Sequence, residues 1–384
     1  MPLILSGDTG VPVTTVTGTL PVANGGTGGA SNFTGFKNRI INGAMVIDQR
    51  NAGASVTQST ADIYTIDRWV CSGGVSSKFT VQQNAGSVTP PAGYTKYLGV
   101  TSLSSYSVGG SDYNYVMQAI EGFNVVDLGF GSAGAATVTL SFWVRSSLTG
   151  NFGGALRNKI SGADRGYPFT YTINAANTWE QKTVTATGDV TGTWATGNTI
   201  SLTACFGLGT GSTFSGTSGA WAASNLIQPT STVSVVGTNG ATFYLTGVQL
   251  EVGSTATSFE YRPYGTELAL CQRYLPAFNS NGSTFAAVPA SCLCTSTSSV
   301  RANIIFSVIA RTPPTGITVS SGAHFTVYQS SGATVVCTTA SAVGFSLYGG
   351  FIDFSGASGL TAGNSSGLFI NNTAGQLLLT GCEL

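Results

Sequence analysis

One histidine, His324, stands in the sequence, within Gly322-Ala323-His324-Phe325. Nucleophilic catalysis would need a serine or cysteine beside it and an acid behind it. No Gly-x-Ser-x-Gly elbow accompanies it, so His324 reads as a structural or exposed residue. Glycoside cleavage asks only for two carboxyl groups placed across a sugar. The 15 acidic residues form no cluster in sequence, and no parallel β-helix repeat is visible. No catalytic residue is assigned.

The seven cysteines, Cys71, Cys205, Cys271, Cys292, Cys294, Cys337 and Cys382, are scattered and odd in number. They suit a reducing compartment and read as small buried hydrophobes rather than a disulfide framework. Cys292 and Cys294 are two apart, so on a strand they share a face. With one histidine and no second Cys-x-x-Cys, no metal site and no cofactor is expected. Gly207-Leu208-Gly209-Thr210-Gly211 resembles a phosphate loop, but no Gly-Lys-Ser/Thr and no helix follow it. Fifteen basic residues balance the 15 acids to a net charge of zero. No basic patch for nucleic acid is evident.

What remains is aromatic and uncharged. Sugar binding uses flat ring faces flanked by amides and hydroxyls. Trp194 and Trp221 sit in Gly/Thr/Ser-rich segments, Tyr113 in a polar loop with Tyr106 and Tyr115, and Tyr328 and Tyr348 near the C-terminus. These five, Trp194, Trp221, Tyr113, Tyr328 and Tyr348, are the ligand-binding candidates. Burial in a subunit interface is the competing role for each, because interfaces are rich in aromatics. Trp143 and Trp179 lie in strand patterns and are expected in a core.

The elements that must position these groups are short strands. Glycine accounts for 52 of 384 residues, charged residues for 8% and hydrophobic ones for 42%. Turn residues recur about every ten positions between β-branched and aromatic runs, the pattern of sandwiches and barrels. Residues 1–35 are low in complexity and read as an extended arm, ordered by sister chains or a docking partner. Residues 36–265 hold roughly eight to ten strands with period-2 alternation, from Asn38–Arg50 with a turn at Asn42-Gly43 to Thr242–Val252, and a two-sheet jelly roll accommodates them. Thr266–Leu275 predicts a short helix between Gly265 and Pro276, a linker and hinge. Residues 276–384 return to strands and predict a second β-sandwich with its last strand pinned in a sheet. The fold class is therefore mainly β.

No apolar run approaches about 18 residues, so no membrane insertion is expected. Met1–Asp8 lacks a basic n-region and does not read as a signal peptide. So few charges at zero net charge favour a chain that covers its faces in an assembly, with a monomeric secreted lectin as the alternative.

Three stretches resemble a known family. Leu20-Pro21-Val22-Ala23-Asn24-Gly25-Gly26-Thr27-Gly28 is similar to a segment near the N-termini of phage tail fibres. Asn38–Arg50 with Ile66-Asp67-Arg68-Trp69, and Val248–Gly253 continuing through Ala256–Tyr264 to Glu267–Tyr274, resemble the opening and ending of a phage fibre domain. Asp48, Asp67, Glu251, Glu260 and Glu267 fall inside these stretches. The resemblance spans residues 20–274. It implies a virion protein made in the host cytoplasm, usually a homotrimer, whose central domain is a jelly roll similar to carbohydrate-binding modules. On that basis the expectation is a non-enzymatic tail fibre: the arm docks to a tail or capsid protein, and the C-terminal tip contacts a host cell-surface glycan. A head fibre or capsid decoration protein of the same fold, and a polysaccharide depolymerase tailspike, are the alternatives. The ending Gly381-Cys382-Glu383-Leu384 looks like the last strand of small β-domains in such proteins, with Cys382 where alanine is usual.

Overall fold

The computed structural model describes residues 36–356 and 358–384. The expected arm, residues 1–35, lies outside the described residues.

Two six-stranded antiparallel sheets face each other in the central region. The first runs Val56–Thr57, Phe79–Gln83, Leu98–Ser102, Thr242–Val252, Val138–Ser146, Glu180–Ala186. The second runs Ile63–Tyr64, Trp69–Gly73, Asn114–Glu121, Ile200–Gly207, Gly150–Arg157, Gly166–Ile173. Alternation fixes which residues face in, because successive side chains on a strand point to opposite sides. Leu140, Phe142 and Val144 of one sheet meet Phe169, Tyr171 and Phe206 of the other in a single core. Phe142 stands edge-on to Phe206 at 5.0 Å. Each such fully buried ring stabilises by roughly 1.5–3 kcal/mol over its exposed state.

Thr242–Val252 switches parity midway. Phe243 and Leu245 point into the core, and so do Val248 and Leu250. A register shift between Thr246 and Gln249 makes both possible, with Gly247 at φ 60° as the extra residue. A bulge of this kind costs a glycine little and any other residue more.

The stretch 36–50 departs from expectation. Its alternation predicts paired strands, yet no strand forms there. Side chains stand in for a neighbouring ladder. Asn38 Nδ2 donates to the Val248 carbonyl at 3.1 Å, and its Oδ1 accepts the Leu250 N–H at 3.0 Å. Gln118 brackets Ile41 from both sides, accepting its N–H at 2.8 Å and donating to its carbonyl at 2.7 Å. Asn42 and Met45 take positive φ, which no regular strand tolerates.

The helix spans Tyr264–Gln272, starting earlier than expected because Pro263, which cannot continue a helix backwards, precedes its first turn. It packs as a corner against the central region. Cys271 and Tyr274 bury against Ile41 and Ile47. Arg273 forks onto Glu121 at 2.6 and 3.0 Å, and the Tyr274 hydroxyl donates to the same carboxylate at 2.7 Å.

Beyond it, the seven-stranded sheet of the C-terminal region curls until Phe325–Gln329 pairs with both Thr334–Phe345 and Ser365–Ile370. A three-stranded sheet, Ala277–Asn279, Gln376–Thr380 and Gly316–Val319, packs over it, with Leu377 and Leu379 in the shared core. Gln376–Thr380 is the central strand, so this last strand is pinned as expected. Glu383 is largely shielded and paired with Arg50 at 2.6 Å, and the Tyr64 hydroxyl donates to the Leu384 carbonyl. All seven cysteines are free and buried, with Cys292 and Cys294 both facing the core. Burial pushes the Cys205 thiol up to about 11 and the Cys71 thiol up to about 12, which leaves little thiolate.

Candidate functional site

Two segments build a roomy cleft. The loop carrying Gly93-Tyr94-Thr95 forms one wall, and Phe259–Tyr264 forms the other, around a cavity of about 270 Å³. In Phe259-Glu260-Tyr261 the alternation of an extended chain sends both rings one way and the carboxylate the other. Tyr94 meets Phe259 at 5.4 Å and Tyr261 at 5.7 Å, while Phe259 stands edge-on to Tyr261 at 4.9 Å. The Tyr261 hydroxyl donates to the Gly93 carbonyl at 2.9 Å, closing the two walls together. Tyr261 and Tyr264 remain 58% and 62% exposed, so their rings are open to a ligand.

The floor is charged but balanced. Arg262 reaches Glu260 at 3.1 Å and Glu267 at 3.2 Å, and donates to the carbonyls of Ile40 (3.2 Å) and Asn38. Glu260 also accepts the N–H groups of Lys37 and Asn38 at 3.1 and 3.0 Å, and Glu267 accepts that of Asn42. The Phe36 ring lies 4.8 Å from the guanidinium carbon. Each carboxylate accepts from Arg262 and from backbone N–H groups, a poor setting for proton transfer or nucleophilic attack. The cleft can stack a flat apolar face and hydrogen-bond its edges.

Gly247 links the bulge to this site. A Cβ there would lie 2.6 Å from the Tyr94 hydroxyl oxygen, at a φ of 60°. Gly247→Ala is expected to cost about 1–3 kcal/mol in urea unfolding. An unchanged midpoint would contradict the close approach.

The five candidates read from sequence do not converge on this cleft. Trp194 and Trp221 do meet each other, at 5.4 Å and 87°, with Phe130 4.9 and 5.7 Å away. Their indole N–H groups donate to the carbonyls of Thr191 and Thr187, which leaves only ring faces to a ligand. Arg165 and Asp189, paired at 2.6 and 2.8 Å, brace the loop that carries Trp194. Tyr113 stacks on Tyr115 at 5.8 Å over the outer face of the second sheet. Tyr328 stands edge-on to Phe285 and Phe369 on the C-terminal sheet, at 5.5 and 5.2 Å. Tyr348 is exposed in a turn. His324 accepts or shares a proton with Ser320 Oγ at 2.8 Å, and that oxygen also accepts the Gln376 N–H.

Trp143 and Trp179 are not in the core. Phe142 and Val144 take the inward positions on their strand, so Trp143 faces out and is half-buried. Trp179 packs on Tyr97 and Tyr244 over the outside of the first sheet. Among the described residues, no group of three or more His, Cys, Asp or Glu side chains is placed to hold a metal ion. No helix of the described residues is long and apolar enough to cross a membrane.

No family model and no curated protein matches the sequence. Among solved structures, the chain aligns with the enzymatically active domain of tailspike protein 4 from bacteriophage CBA120 at 10% identity and a TM-score of 0.29, over 56% of this chain and 21% of that one. It therefore spans about a fifth of that tailspike. It aligns with the CBM22-2 xylan-binding domain of Paenibacillus barcinonensis Xyn10C at 16% identity and 0.28, over 49% and 93%. It aligns with the family 11 carbohydrate-binding module of Clostridium thermocellum, solved with a mixed-linked tetrasaccharide, at 12% identity and 0.27, over 54% and 100%. All three are loose superpositions.

Proposed function

We propose that this chain is a subunit of a phage tail fibre whose central sandwich holds host-surface glycan without cleaving it. The observation that carries the reading is the aromatic cleft. It is built by the stretch that resembles the end of a phage fibre domain, and its open rings sit over a charge-balanced floor. Sugar recognition asks for this combination, because pyranose rings offer apolar faces and hydroxyl edges. The ion-paired, hydrogen-bonded carboxylates of Glu260 and Glu267 support binding without cleavage. Homotrimeric assembly accords with the scarcity of charge and with Leu293, Ile305 and Phe351 exposed on the outside of the C-terminal sheet. In solution the fibre is expected to have three times the chain mass, and to be found in purified particles.

Tyr261→Ala tests the cleft. Because Tyr261 is largely exposed, the melting temperature should hold while affinity for the best ligand on a glycan array falls about tenfold or more. Unchanged affinity would remove the cleft from the binding site.

A further inference from the structure

We infer that Gly381–Leu384 is a plug that seats in a socket of the central sandwich and makes the stability of each region depend on the other. The socket fits an acidic residue followed by an aliphatic one. The inference stands apart from the glycan reading.

Regions joined by a short connection move independently unless an interface holds them. Here the interface begins at a turn. Gln376–Thr380 is the middle strand of its sheet, and Gly381, at φ 94°, lets the chain leave it close against Thr315. A Cβ at Gly381 would lie 2.1 Å from the Thr315 hydroxyl oxygen, so the turn admits glycine alone. Cys382 stays in the C-terminal core. The next two residues cross over. Leu384 packs with Ile41, Ile47, Cys271 and Tyr274, and the Glu383 side chain, 9% exposed, lies 2.6 Å from Arg50 and 3.5 Å from Arg68.

The socket has a charge that waits for an acid. The Arg68 side chain is 2% exposed, its guanidinium carbon is 3.5 Å from the centre of the Tyr274 ring, and Nη2 donates to the Ala119 carbonyl at 2.6 Å. Among the described residues, its ion pair is the one with Glu383. A guanidinium so shielded from water is costly without a counter-charge, and the C-terminal region brings it.

Two clasps flank the plug. Arg311 donates from Nε to the Cys382 carbonyl at 2.7 Å, from Nη2 to the Glu383 carbonyl, and from Nη1 across to the Asn198 carbonyl of the central region at 2.8 Å. On the other side the Gln49 carbonyl accepts from Asn279 Nδ2 at 3.0 Å and from Gln376 Nε2. All of these contacts need both regions folded and docked, so either region gives them up when it opens alone. A charge buried by one region and neutralised by the other therefore couples their stabilities.

Hydrogen exchange read by mass spectrometry on the full chain follows the two regions separately. Each substitution is made on one side of the joint and read on the other. Arg50→Gln, where the native side chain is 21% exposed and the fold tolerant, should speed exchange along Gln376–Thr380 about five- to tenfold. Glu383→Gln should speed exchange along Val138–Ser146 by at least as much, because it strands Arg68. The double variant should exceed the larger single effect only slightly, since both remove one contact. Acceleration confined to the region that carries the substitution would overturn the plug, and so would single effects that multiply in the double variant. If Glu383→Gln does not fold, the response of Gln376–Thr380 to Arg50→Gln decides alone.

Discussion

Arg262→Ala is expected to destabilise the protein by about 2–4 kcal/mol, because it strands the buried Glu267 carboxylate and the half-buried Glu260 carboxylate that the native guanidinium neutralises. The Arg262 side chain is 4% exposed and its partners Glu260 and Glu267 are 18% and 11% exposed, so water can replace it only in part. The loss extends beyond the ion pairs. Arg262 also holds the carbonyls of Asn38 and Ile40, and with them the strandless stretch 36–50. Arg262→Lys should recover only part of the loss, since a single ammonium cannot bridge both carboxylates and both carbonyls. Urea unfolding measures this directly. A loss below about 1 kcal/mol, the range of a surface pair, would show that the floor of the cleft is not organised by this residue.

The second large effect concerns Asp67. Complete burial pushes its carboxyl from the ordinary 3.8 up to about 7, against the hydrogen bonds it accepts from Gln49 N–H at 2.9 Å and Gln49 Nε2 at 2.5 Å. Glu383 nearby, also raised by burial, pushes in the same direction, while Arg50 and Arg68 face Glu383 and partly offset its charge. The folded chain then holds a proton that the unfolded chain releases. Such a group adds stability below its unfolded value, and that contribution is lost as pH rises from about 4 through about 7. Wild type should be more stable at pH 5 than at pH 8 by about 2 kcal/mol, and Asp67→Asn should flatten most of that slope. Carboxylates held low by partners work oppositely at more acid pH. Glu121, lowered by Arg273 and Tyr274 despite its burial, contributes stability that disappears as pH falls below the usual carboxylate range. A wild-type stability that rises from pH 5 to pH 8 would contradict the assignment for Asp67.

How far the residues themselves disclosed this depends on whether local rules govern each part. Alternation predicts a strand over residues 137–145, and Val138–Ser146 forms it, with Phe142 and Val144 turned into the core. The same alternation was misleading for Trp143, because hydrophobicity suggested burial where parity dictated exposure. In Asn38–Arg50, alternation reflects burial without a ladder. Asn38, Asn42 and Gln118 satisfy the backbone there, and no periodicity distinguishes side-chain partners from strand partners. The aromatic cleft was hidden for another reason. Tyr94 and Tyr261 are 167 positions apart in numbering and meet only because Gly247 opens a bulge beneath them. Phe259-Glu260-Tyr261 did carry a signal, two rings on one side of an extended chain. It was absorbed into a stretch read as scaffold. The helix was legible from Thr266 to Gln272, but its packing as a corner depends on Glu121 and Ile41, which are remote in the chain.

The most direct trial of the whole account is to pass host-surface polysaccharide over the immobilised protein, elute what is retained and measure its chain length. Retention in the wild type with length unchanged, and little retention by a Tyr94→Ala, Tyr261→Ala double variant, is the expected result. Shortened chains in the eluate, or equal retention by the double variant, would contradict a cleft that grips sugar without cutting it.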